Sequence, residues 1–179
     1  MDPEAAEIVQ FWRDAGPEAW FRKDRAFDDR FHRACHDLHF AAARRECDHW
    51  IDGPESGLAL MILLDQFPRN CFRGTGHMYA TDPLARLFAR KAVAAGHHQA
   101  IEPELGWFFV LPFQHSESLE DQEFSVELGQ RFGEELLKHA RGHRDIIRTF
   151  GRFPHRNPML GRVTTPEEQA FLEGGGFAG

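Results

Sequence analysis

His115, Ser116 and Glu117 stand side by side at the end of an aromatic segment. A histidine next to a carboxylate can move protons near neutral pH, because its own pKa lies there and the acid can orient it and favour its charge. His155 belongs to a second polar group, Arg152-Phe153-Pro154-His155-Arg156-Asn157. His115 and His155 are therefore the proton-transfer candidates, with Glu117 or Asp65 to orient them. Ser116 becomes a nucleophile only if a base reaches it. Read as a helix start instead, Ser116 and Ser118 are caps and the acids around them complement the first turn. Both readings stand at this level.

Arginine supplies the other chemistry. From His143 to Arg162 there are five arginines, one acid and no lysine, on a chain whose net charge is −7. Guanidinium forks bind phosphate and carboxylate with two parallel hydrogen bonds. Arg152, Arg156 and Arg162 flank turns whose backbone N–H groups can also face an anion. Arg69, in the group Asp65-Gln66-Phe67-Pro68-Arg69-Asn70, is a further candidate. Gln66, Asn70, Gln122, His143 and Asn157 complete a set of polar side chains that could bind a small anionic ligand. The rival is internal pairing. Asp65 lies at the end of an apolar helix, where its charge is disfavoured, so it wants an arginine, and Arg152 or Arg156 could serve.

The 11 histidines invite a metal, but their spacing argues against one. His32, His36 and His39 share a helix face opposite the apolar stripe, which reads as a solvated face. His139 and His143 fall within the inward arc of their helix. A buried histidine needs a partner, from a backbone carbonyl or from a ligand. Glu135, His139 and His143 have a spacing that allows a divalent ion but match no metal motif, so no metal and no cofactor is assigned.

These groups must be positioned by helices. Asp2-Pro3-Glu4 is a start signal, followed by Ile8, Phe11 and Trp12 at helical spacing, and Gly16-Pro17 stops it. Asp24 to about His49 reads as one amphipathic helix, with Phe27, Phe31, Ala34, Leu38 and Ala41 inward. Leu58–Leu64 is apolar all round, which makes a central buried helix, with a buried strand as rival; the leucine, methionine and alanine content favours helix. Thr81-Asp82-Pro83 starts another. Ser118 begins a long helix that could reach Phe150 with a kink near Gly142, and Thr165-Pro166-Glu167-Glu168 starts a last short one. The expected class is all-α, with about seven to eight helices in antiparallel pairs and no sequence repeats. Residues 1–173 are expected to form one domain and 174–179 a flexible glycine-rich tail. A short echo links Phe67-Pro68-Arg69-Asn70 to Phe153-Pro154-His155-Arg156-Asn157. Each reads as an inward Phe in extended backbone before Pro, then Arg and Asn in a turn.

Composition bounds the function. With 179 residues, 42% of them hydrophobic and 17 of them Phe, the chain can bury a core without disulfides. Three cysteines without a paired motif suggest reduced thiols in the cytoplasm. The longest apolar runs fall far short of the roughly 20 residues a membrane span needs, so no membrane is expected. The acidic balance argues against DNA as a partner.

The words Asp65-Gln66-Phe67-Pro68-Arg69-Asn70, His115-Ser116-Glu117 with Asp121-Gln122, and Phe150-Gly151-Arg152-Phe153-Pro154-His155-Arg156-Asn157 with Leu160-Gly161-Arg162 together resemble the bacterial family catalogued as domain of unknown function 924. The resemblance covers nearly the whole chain. It implies a tetratricopeptide-like all-α fold and no established activity. On this reading the three words converge in one pocket for a small anionic metabolite, as a binding protein or an enzyme. The alternative is a helical scaffold that binds a peptide, a partner protein or a second copy of itself. RNA binding through the arginine loop is a third reading, against which the net charge counts.

Overall fold

The Asp2 side chain accepts a hydrogen bond from the Glu4 N–H at 2.9 Å, and Pro3 follows where its missing N–H costs nothing, so helix α1 (Pro3–Ala15) starts where the sequence places it. The computed structural model describes residues 1–179, all helix, turn and loop, with no strand. The helices that follow are α2 (Pro17–Trp20), α3 (Arg25–Ala43), α4 (Pro54–Met61), α5 (Phe67–Cys71), α6 (Asp82–Ala94), α7 (Pro103–Gly106), α8 (Leu111–Gln114), α9 (Leu119–Gly129), α10 (Glu134–Phe150) and α11 (Pro166–Glu173). A π turn, Ile62–Gln66, makes α4 and α5 one continuous run. Helices exceed the expected seven or eight because α2, α7 and α8 are single turns of four residues. The chain divides into two compact units. The first is Met1–Arg73 with His77–Pro112, the second Gly74–Gly76 with Phe113–Gly179.

The first unit is built on aromatic rings. Trp12 of α1 stacks on Trp20 and tilts against Phe31 of α3, with centroids 6.1 and 5.2 Å apart. Phe31 meets Phe67 edge-on at 5.2 Å. Such rings dominate core energetics because each removes a large apolar area from water. Leu58 to Leu64 are all buried, and the run is helical, as its composition favours. Arg13 forks between Glu55 and Glu102, tying α1 to α4 and α7.

Three local expectations are corrected. Helix α3 stops at Ala43, short of His49, because Arg45 adopts a left-handed φ of 70° and the Glu46 N–H turns back to the Ala41 carbonyl. Its inward face is Phe27, Phe31, Cys35, His39 and Ala42, while Ala34 is exposed. Burial of His39 rotates the stripe away from the purely apolar pattern. In the second unit the expected helix from Ser118 to Phe150 is two helices. They part at Gly133, whose φ of 92° no L side chain favours, while Gly142 stays within α10.

The backbone before Pro68 is helical, not extended. Pro68 has no N–H to donate, and its ring would press on the carbonyl four residues back. The π turn absorbs this: the Phe67 N–H reaches Ile62, and the carbonyls of Leu63 and Leu64 take side-chain donors. His39 Nδ1 lies 2.8 Å from the Leu63 oxygen, and Thr81 Oγ1 donates to the Leu64 oxygen at 2.6 Å. Phe153 does keep the extended backbone expected before Pro154, at φ −87° and ψ 110°.

Candidate functional site

The polar words divide between the two units. In the first, Arg69 extends from α5 and clasps both oxygens of Asp82 at 2.8 and 3.0 Å, with Asp65 at 3.2 Å. Asp65 is therefore met by Arg69, four residues on along the same helical run. Gln66 donates to Asp65 at 2.6 Å, and Asn70 donates to Asp28 at 2.8 Å. Burial opposes the charge on Arg69, but the two carboxylates hold it charged. Asp65, Gln66, Asn70 and Asp82 are buried and Arg69 and Asp28 half-buried, and these side chains tie α5 to α6 through Arg69 and to α3 through Asn70.

His39 is the largest departure from the sequence reading. It is fully buried, not solvated. A carbonyl can only accept, so Nδ1 carries the proton to Leu63, and Nε2 faces His77 Nε2 at 2.9 Å. Burial pushes its pKa down to about 4. His32 is exposed as expected, and His36 pairs with Asp37.

In the second unit two of the words do come together. Glu117 receives Arg162 at 2.7 and 3.0 Å and the Phe153 N–H at 2.8 Å. Burial alone would raise its pKa, but Arg162, the Phe153 N–H and the charge of Arg156 together lower it. Both carboxylate oxygens are thus engaged in closing the loop 150–162 onto the turn before α9. Arg152 forks onto Glu168 at 2.6 and 2.9 Å, and Asn157 donates to the same carboxylate at 3.0 Å. The Arg152 hydrogen bond leads the forces that hold Glu168 down to about 2. Glu168 also forms the capping box of α11 with Thr165. Gln122 uses its amide N–H groups on the Gln114 and Ser116 carbonyls at 2.6 and 2.7 Å. Ser116 donates to Asp121 at 2.6 Å and accepts the Ser118 N–H, which favours its helix-start reading.

These pairings make Arg69, Arg152 and Arg162 parts of internal ion pairs. Glu168→Ala is expected to cost about 2–4 kcal/mol, because it strands Arg152 and Asn157 and removes a cap. Glu168→Gln, which keeps the cap acceptor, should lose less. Urea denaturation of the three proteins measures the difference.

The second unit has a cleft of 280 Å³ lined by Glu135, Lys138, His139, Gly142, His143, Ile146 and Phe177. His143 is one of the lining residues. Its Nδ1 lies 2.9 Å from the His139 carbonyl, one turn back, which fixes the proton there and leaves the Nε2 lone pair free of it. Burial is the first cause that pushes the His143 pKa down to about 4; the charges of His115, His139 and Arg156 add to it, against the His139 carbonyl. His115 and Arg156 are therefore within electrostatic reach of His143. Arg156 lies over the Phe153 ring at 4.4 Å, and His155 packs beside the same ring at 5.6 Å. The sequence placed His143, His155 and Arg156 among the candidates. It missed Lys138 and Phe177, although Lys138 adjoins His139 in the chain. No cluster of three or more His, Cys, Asp or Glu side chains has the geometry to hold a metal ion.

The family model for the bacterial protein of unknown function DUF924 matches residues 8–176. The chain belongs to this family. Among solved structures, the protein of unknown function ATU0120 from Agrobacterium tumefaciens is 60% identical, with a TM-score of 0.93, over 95% of this chain and 97% of that one. A search of curated proteins gave no match. No helix of this DUF924 member is long and apolar enough to cross a membrane.

Proposed function

We propose that this DUF924 protein binds a small phosphate- or carboxylate-bearing molecule in the cleft between α10 and the segment that carries Phe177. The observation that supports this reading is the position of His143. It lies in a cleft whose rim carries Lys138 and His139, against Glu135 as the acid, and the charges of His115 and Arg156 act on it. An anion there favours protonation of His143. Affinity therefore rises as the pH falls from neutral toward about 4, since proton and anion bind together. The role of Arg152 and Arg162 on this reading is to shape the loop behind the cleft, not to hold the ligand. The tetratricopeptide-like arrangement and a reducing cytoplasmic setting belong to the same reading, the second in keeping with three free cysteines.

The test is calorimetric titration with sulfate, whose charge is constant over this pH range, and with inorganic phosphate. His143→Ala and Lys138→Ala should each weaken binding roughly tenfold, the effect of losing one charge-assisted hydrogen bond. Arg141→Ala, whose side chain pairs with Glu134 on the exposed side of α10, should leave it unchanged. Equal affinities in all four proteins would contradict the site.

A further inference from the structure

The cleft has a wall supplied by the residues that follow α11. Helix α11 ends at Glu173, and the next residues turn sharply: Gly175 has φ 83°, and the Gly176 N–H reaches back to the Phe171 carbonyl at 2.9 Å. A Cβ on Gly176 would lie 2.6 Å from both the Phe171 ring and its carbonyl oxygen, so the turn requires glycine there. The turn sends Phe177 back over the cleft. Its ring stands edge-on to His143 at 4.6 Å and to His155 at 5.1 Å, and 6.5 Å from Phe153. Yet Phe177 remains 41% exposed. Both imidazoles thus border one slot, which this ring fills. Its occupant is a half-buried ring on a tether of three glycines, Gly174, Gly175 and Gly176.

Resting on the anion site above, we propose that the ligand is an aromatic anion, a planar ring carrying a phosphate or carboxylate, and that its ring takes the place of Phe177 against His143 and His155. Imidazole edges and faces favour a flat partner over an aliphatic one. Lys138 and His139 line the same cleft and receive the anionic end. Phe177 then acts as a strap. It fills the slot when the ligand is absent and must leave for the ring to bind, so it competes with an aromatic ligand and not with a bare anion. An occupant supplied in cis weakens apparent affinity by the fraction of time it is seated.

Calorimetric titration with phenyl phosphate and inorganic phosphate tests this on the whole chain. Phenyl phosphate should bind at least tenfold more tightly than inorganic phosphate. Phe177→Ala should tighten phenyl phosphate a further several-fold and leave inorganic phosphate within twofold. Gly176→Ala, which displaces the strap without removing its ring, should act in the same direction, and circular dichroism confirms that both variants stay folded. If inorganic phosphate binds at His143 but phenyl phosphate gains nothing, the ring slot is wrong and the anion site stands. If Phe177→Ala weakens phenyl phosphate, the ring stacks on Phe177 and does not replace it, which overturns the strap. If neither anion binds, both proposals fall.

Discussion

Arg69→Ala is expected to lower the stability of the chain by about 3–5 kcal/mol, the cost of leaving buried carboxylates without their cation. Arg69 is the cation between Asp65 and Asp82, which are 1% and 5% exposed. Burial leaves their oxygens poorly solvated once the guanidinium is gone. The network also carries the geometry of the π turn, since Arg69 donates to the Asp65 carbonyl at 2.8 Å. Arg69→Lys should recover only part of the loss, because an ammonium cannot fork onto both Asp82 oxygens. A double variant, Arg69→Ala with Asp82→Ala, should be more stable than the two single losses added together, since each partner's removal spares the other. Equilibrium urea unfolding followed by tryptophan fluorescence gives all four values. A loss below about 1 kcal/mol for Arg69→Ala, the level of an exposed pair, would mean the network contributes little.

Acid should weaken the fold from about pH 6.5 downward. His39 is fully buried, and its pKa is held down to about 4 by that burial. In the unfolded chain it returns to its ordinary value, so between the two the unfolded state binds the extra proton. Stability is complete above about pH 6.5, falls as the pH drops toward about 4, and is flat with respect to His39 below that. The loss is on the order of 3 kcal/mol. The structural reason is specific: Nδ1 is committed to the Leu63 carbonyl, and Nε2 faces His77 Nε2, so a second proton would set one N–H against another. The contributions of Glu168, held at about 2, and of Glu117, also lowered, are present above the ordinary glutamate range and are lost as the pH falls through it. His39→Phe should be less stable than the parent at pH 7 and should lose about half of the slope between pH 6.5 and 4, because His143, also held down to about 4, carries a similar share. A slope of unchanged size in that variant would assign the effect elsewhere.

How much of this was legible in the residues differs from element to element. Asp2-Pro3 and Thr165-Pro166 announced their helices, because a capping oxygen and a proline at the first turn act within four residues. The break between α9 and α10 was harder to see. Gly129, Gly133 and Gly142 look alike in sequence, and only the left-handed φ of Gly133 distinguishes the one that turns the chain. His39 was misplaced for a physical reason: an imidazole can be buried when both nitrogens find partners, and those partners, 24 and 38 residues away, leave no periodic trace. The arginine-rich stretch was recognised, and so was the choice between ligand and ion pair. That choice turned on Glu168, which lies 16 residues beyond Arg152. Phe177 had no signal at all, since a single ring after three glycines does not say where it returns.

The most direct measurement is a pH titration of the His143 imidazole by nitrogen-15 NMR, with and without saturating sulfate. In the free protein its pKa should lie near 4, with the proton of the neutral ring on Nδ1. Sulfate should raise that pKa by about a unit or more, as expected when an anion binds beside the ring. A His143 titration that ignores sulfate, or one already ordinary in the free protein, would contradict an anion site in this cleft.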